Sequence, residues 1–177
     1  MTKRLVSRSA GAKPVHGVYE GELSTLPDGA RLWVEASGFK PAAGSVMLVP
    51  GEGGAIAGAV LGLGKRGALG PAATAMLSGA LAQTLPAGEW AIESSTGLDP
   101  DLSALGFVLG SYRFERYLSA TAPTGPTLAL PQGADEAGVR RAAEASFLVR
   151  DLVNTPTNDL GPDAQRRRVI FGKQRGA

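Results

Sequence analysis

Two uninterrupted apolar runs constrain the fold of this chain more than any other feature. Ser45-Val-Met-Leu-Val-Pro50 and the stretch from Ala55 to Leu63 flank a turn-forming Gly51-Glu-Gly-Gly54. A strand with one wet face alternates apolar and polar residues, whereas a strand covered on both faces reads as a continuous apolar run. The pair therefore predicts a sheet sandwiched between helices.

Further elements fit that frame. Glu89-Trp-Ala-Ile-Glu93 reads as a strand, as does Thr127-Leu-Ala-Leu130 between Pro126 and Pro131. Arg31-Leu-Trp-Val-Glu-Ala36 alternates after the Pro27-Asp28-Gly29 turn, and the alternation predicts another strand. A helix is predicted over 72–85, opened by Pro71 and ended by Pro86 and Gly88. Asp99-Pro100-Asp101 has the chemistry of a helix start: a capping carboxylate, a first-turn proline and an acid near the positive end. In the helix that follows, Gly106 and Gly110 would allow close backbone approach. Residues 135–153 predict a long helix, with Arg140, Glu144 and Asp151 on a narrow polar stripe. So thin a stripe predicts a helix that is largely buried. Strands and helices alternate after residue 45, so the expected class is α/β, a three-layer sandwich with a mixed central sheet flanked by helices.

Composition excludes several chemistries. The chain has no Cys, which removes disulfides, thiol nucleophiles and Cys-based zinc sites. Its single histidine, His16, cannot form a multi-histidine metal site and is expected to be an exposed loop residue. No apolar run approaches the roughly 20 residues that span a bilayer, so no membrane association is expected. The basic start, residues 1–14, has no apolar central region and is expected to be a disordered leader, not a secretory signal.

The sequence pI of about 9.1 conceals a split. Lys3, Arg4, Arg8 and Lys13 make the first thirteen residues basic, and Arg166, Arg167, Arg168, Lys173 and Arg175 do the same for the end. Residues 14–162 hold nine Lys/Arg against fifteen Asp/Glu, so the body is acidic. That argues against a nucleic-acid-binding face on the body.

Three motifs invite functional readings. Gly62-Leu-Gly-Lys-Arg-Gly67 matches G-x-G-x-x-G, but Leu69-Gly70-Pro71 interrupts before the helix that a dinucleotide site needs. A P-loop fails too, because Arg66 follows Gly64-Lys65 where Ser or Thr should stand. The loop is read as a strand-to-helix connection. Tyr112-Arg-Phe-Glu-Arg-Tyr117 interleaves cations and aromatics as base-stacking segments do. It is read instead as a helix end that packs Tyr112 and Phe114, with Arg113 and Arg116 in ion pairs. The acid pairs Glu20/Glu22 and Asp99/Asp101 lack metal-ligand company and read as solvated or capping groups.

Taken in order, three segments resemble the leucyl (cytosol) aminopeptidase family. Leu61-Gly-Leu-Gly-Lys65 is similar to its strand-end element and Leu109-Gly-Ser-Tyr-Arg-Phe-Glu-Arg-Tyr117 to its L-G-x-Y-x-F-x-x-Y helix. Leu152-Val-Asn-Thr-Pro-Thr-Asn158, with Gly161-Pro162, is similar to its domain-junction signature. The resemblance implies a macro-domain-like N-terminal domain over residues 15–154, an inter-domain junction over 155–163, and a basic tail over 164–177. The tail's change of composition predicts an aberrant or prematurely ended reading, with the chain stopping before the family's catalytic domain.

The family's two divalent metals, Zn or Mn, and its catalytic residues lie in that other domain. No residue of this chain is therefore assigned a catalytic, cofactor-binding or metal role. The resemblance further implies a cytoplasmic protein whose peptide substrate belongs to the full-length form. Expected partners are a catalytic domain or a second copy of the chain, since surface normally covered by the second domain would face water. Two other readings stay open: a macro-like module that binds a ligand or nucleic acid, and a hydrolase that gains its metal site from a partner chain.

Overall fold

A computed structural model describes residues 4–114 and 125–156. The chain enters the sheet at once through β1 (Leu5–Val6) and β2 (Lys13–Val18), followed by helix α1 (Asp28–Ser37). Then come β3 (Val46–Pro50), β4 (Ile56–Gly62), the short helices α2 (Pro71–Met76) and α3 (Gly79–Thr84), and β5 (Gly88–Ile92). Helix α4 (Pro100–Gly110), β6 (Pro126–Ala129) and α5 (Glu136–Asn154) complete the described elements.

Six strands form one sheet in the order β1-β6-β5-β2-β4-β3. Five run parallel, and β3 alone is antiparallel, to β4. The class is thus the expected three-layer α/β arrangement with a mixed sheet. Both apolar runs become the paired strands β3 and β4, with Leu48 opposite Ala59.

Side-chain alternation divides the interior into two cores. On one face Val15, Ala59, Leu61, Trp90, Ile92 and Leu128 meet Leu81 of α3, Ala104 and Phe107 of α4, and Val139, Ala143 and Phe147 of α5. On the other, Val18, Val49 and Val60 meet Leu26 and the α1 residues Ala30 and Val34. Three helices therefore build the first core and one helix the second.

Several expectations require correction. Residues 31–36 are not a strand but the middle of α1. Ala30 and Val34, four apart, are its buried pair. Arg31 bridges Asp28 and Glu35 at helical spacing. The helix ends at left-handed Gly38 (φ 64°), where the Phe39 N–H donates back to the Val34 carbonyl at 3.2 Å.

The predicted 72–85 helix is broken at Leu77–Ser78. Ser78 is fully buried and its hydroxyl donates to the Ser103 carbonyl at 2.7 Å, which ties the break to α4. Gly106 and Gly110 do allow close approach. A Cβ on Gly110 would meet the Gly79 backbone, and one on Gly106 would meet Met76 Cα at 3.0 Å. The expected start of α4 holds, with Asp99 Oδ1 accepting from the Leu102 N–H at 2.8 Å.

The basic start is not a disordered leader where it is described. Leu5 pairs with Leu128 and is only 4% exposed. Backbone bonds from Leu128 N–H to the Arg4 carbonyl and from Leu130 N–H to the Val6 carbonyl hold β1 to the sheet edge. Helix α5 is also less buried than its stripe predicted. Val139, Ala143 and Phe147 are its buried positions, while Val149 and Val153 face solvent.

Candidate functional site

Of the acids that the sequence offered as chemical groups, Glu22, Asp99 and Asp101 have structural partners. Glu22 receives the Arg66 Nε–H at 2.6 Å, and the Arg66 guanidinium lies 4.1 Å from the centre of the Tyr19 ring. The hydrogen bond from Arg66 holds the Glu22 carboxyl below its ordinary range. This pairing pins the 62–67 loop to the turn after β2. Within the loop, the Gly64 N–H donates to the Pro41 carbonyl at 2.9 Å, and so faces protein where a dinucleotide loop would face phosphate.

Glu89 accepts from both the backbone N–H and the hydroxyl of Ser9 at 2.7 Å, and these two bonds lower its pKa. Arg8 pairs with Glu93 at 2.7 Å. Asp99 caps α4, and Asp101 Oδ1 accepts from the Asp135 N–H at 2.6 Å. Tyr112 and Phe114 lie beyond the end of α4, so the described part of that motif follows the helix and is not part of it; Arg116 and Tyr117 lie outside the described residues.

His16 is on β2 instead of in a loop. Its register partner is Val60, and it is half-buried on the α1 side of the sheet. Burial lowers the imidazole pKa by disfavouring the charged form, partly opposed by the carboxylate of Glu93. Among the described residues, no group of three or more His, Cys, Asp and Glu is placed to hold a metal ion. Two-metal hydrolysis needs clustered carboxylates, and carboxylates committed to caps and ion pairs do not fit it.

A cavity of about 360 Å³ opens at the carboxyl ends of β5 and β6, lined by Arg8, Glu93, Ser94, Thr96, Ser103 and Gln132. Open parallel sheets tend to bind ligands at this end. Here the one cation and the one anion neutralise each other, and the Ser103 hydroxyl donates to the Pro100 carbonyl at 3.1 Å. Ser103, its hydroxyl turned to a backbone carbonyl, is thus not paired with a base.

Where α4 and α5 end side by side, the Tyr112 hydroxyl donates to Asp151 Oδ1 at 2.7 Å and accepts from Asn154 Nδ2 at 3.2 Å. Beside this contact α5 shows solvent its apolar pair Val149 (59% exposed) and Val153 (78% exposed), one turn apart. An apolar stripe at the end of a helix is a candidate interaction face. Sequence reasoning quoted both segments without pairing them, because Tyr112 and Asp151 are 39 residues apart and no short-range pattern links them. No helix of the described residues is long and apolar enough to cross a membrane.

Residues 14–131 match the family model described as the M17 aminopeptidase N-terminal domain. The chain is 27% identical to a probable cytosol aminopeptidase of Streptomyces coelicolor, over 89% of this chain and 36% of that protein. The crystal structure of a cytosol aminopeptidase from Coxiella burnetii superposes with a TM-score of 0.77 at 27% identity, covering 96% of this chain and 37% of that one. The bottromycin maturation enzyme BotP in complex with Mn gives a TM-score of 0.67 at 26% identity, over 93% and 37% of the two chains. The chain thus spans little more than a third of the length of these relatives.

Proposed function

The chain belongs to the M17 aminopeptidase family through its N-terminal domain, and from that premise we propose that it is the accessory domain of a metal-dependent leucyl aminopeptidase. In this reading it packs against a catalytic domain, helps to set the assembly, and supplies no group to peptide hydrolysis. The observation that carries the reading is the family match over residues 14–131. The commitment of Glu22, Glu89, Glu93, Asp99 and Asp101 to ion pairs, loop anchoring and caps supports it.

The Mn held by a relative belongs, in this reading, to residues outside the described ones, and peptides are substrates of a longer form. The name cytosol aminopeptidase, carried by two relatives, supports a cytosolic setting. The exposed Val149–Val153 stripe is the surface expected to meet a catalytic domain or, in its absence, a second copy.

The test is release of N-terminal leucine from a peptide by the purified chain supplied with Mn²⁺ or Zn²⁺. No turnover is expected above a metal-only control. Metal-dependent turnover by the chain alone would overturn the accessory reading.

A further inference from the structure

The ends of α4 and α5 meet in a contact centred on one residue. The Tyr112 hydroxyl sits between Asp151 Oδ1 and Asn154 Nδ2, and its ring packs on Phe147 with centroids 5.2 Å apart. The Arg150 guanidinium lies 5.3 Å from the centre of the same ring, and its Nη1 donates to the Leu109 carbonyl at 2.9 Å. Phe147, Arg150, Asp151 and Asn154 are spaced by three or four residues, so they share one face of α5 and close on Tyr112 together.

Helix C-termini leave their last carbonyls without intrahelical donors and open more readily than helix middles. The residue after the helix counters that tendency here. The Thr155 hydroxyl donates to the Asp151 carbonyl at 2.6 Å. Thr155 itself is extended (φ −85°, ψ 123°) before Pro156, as a residue preceding proline must be.

We propose that Tyr112 is a latch that locks the last turn of α5 and so fixes the direction in which the chain leaves the domain at Thr155–Pro156. With its hydroxyl in place, the exit is a rigid continuation of the fold. Without it, the last turn opens and Thr155–Pro156 becomes a hinge. The locked turn also carries Val153, so the latch sets where the apolar stripe points. This inference stands on contacts within the chain and holds whatever the domain docks against.

Amide hydrogen exchange on the intact chain tests it, comparing wild type with Tyr112→Phe, which removes the hydroxyl but keeps the ring on Phe147. Amides of residues 151–155 should exchange about tenfold faster, as expected for losing a hydrogen bond to a charged group. Amides of β2, β4 and β5 should keep their rates. Asn154→Ala, at an exposed position, removes the weaker arm and should give roughly a threefold rise over the same residues; it carries the test if Tyr112→Phe does not fold. Unchanged exchange at 151–155, or an equal rise across the whole sheet, would overturn the latch. The readout needs no enzymatic activity, so its failure is distinct from failure of the accessory-domain reading.

Discussion

The two faces of the sheet are built to different standards. Helices α3, α4 and α5 cover one face and enclose Trp90 and Phe107, both fully buried. Among the described helices only α1 covers the other, over a smaller core of Val18, Val34, Val49 and Val60 with Leu26 and Ala30. Hydrophobic stabilisation scales with apolar area removed from water, so the first face carries more of the fold's stability. The second face is where β2 leaves its one imidazole half-buried and where α1 leaves Leu32 and Trp33 exposed.

The contrast can be broken most directly by deleting a large side chain from each core. Phe107→Ala should cost about 3–5 kcal/mol, the usual range for an aromatic truncated in a packed core, read from urea denaturation midpoints. Gly110→Ala attacks the same face from the backbone. Its methyl would meet the Gly79 main chain, which cannot swing aside as a flexible side chain could. A loss near 3 kcal/mol, at the upper end for overpacking, is expected in the same assay.

On the thin face Val34→Ala should cost about 2 kcal/mol, from two lost methyl groups and the space they leave. A loss as large as that of Phe107→Ala would overturn the ranking of the two faces. Asp99→Ala removes the cap of α4 and should cost about 1 kcal/mol, with α4 fraying visible as a small drop in helical circular dichroism.

The smallest effect is a pH dependence that belongs to the thin face. Burial lowers the His16 pKa in the folded state, so the fold favours the neutral ring. The stability this contributes is present above the ordinary imidazole pKa of about 6.5. It is lost as the pH falls from that value through the folded pKa, because the unfolded chain takes up the proton first. Wild type should therefore lose more stability than His16→Gln between roughly pH 7 and pH 5.5. Identical slopes for the two proteins would place that pH dependence elsewhere.

The elements legible in the sequence were those whose signals are local. Strands β3 and β4 are continuous apolar runs, α4 announces its start through Asp99-Pro100, and Gly106 and Gly110 mark a close approach that the structure contains. Helix α1 was misread because Leu32, Val34 and Ala36 satisfy a period of two while Ala30 and Val34 satisfy a period near four. Only Gly38, as a left-handed stop, separated the alternatives. Strand β2 was not read as a strand, since Pro14 and Gly17 weaken its local preference, yet it is one of the two middle strands and pairs with both β4 and β5.

What the sequence by itself determined was the class of the fold, the family, and the acidic character of residues 14–162. These follow from residue type, order and short-range periodicity, which need no knowledge of distant contacts. Only the tertiary structure decided that residues 5–6 form the edge strand beside β6, that His16 lies on a strand, and that α1 alone among the described helices packs on its face. It alone joined Tyr112 to Asp151, because a hydrogen bond across 39 residues depends on how two helices pack and leaves no mark on the local pattern of either.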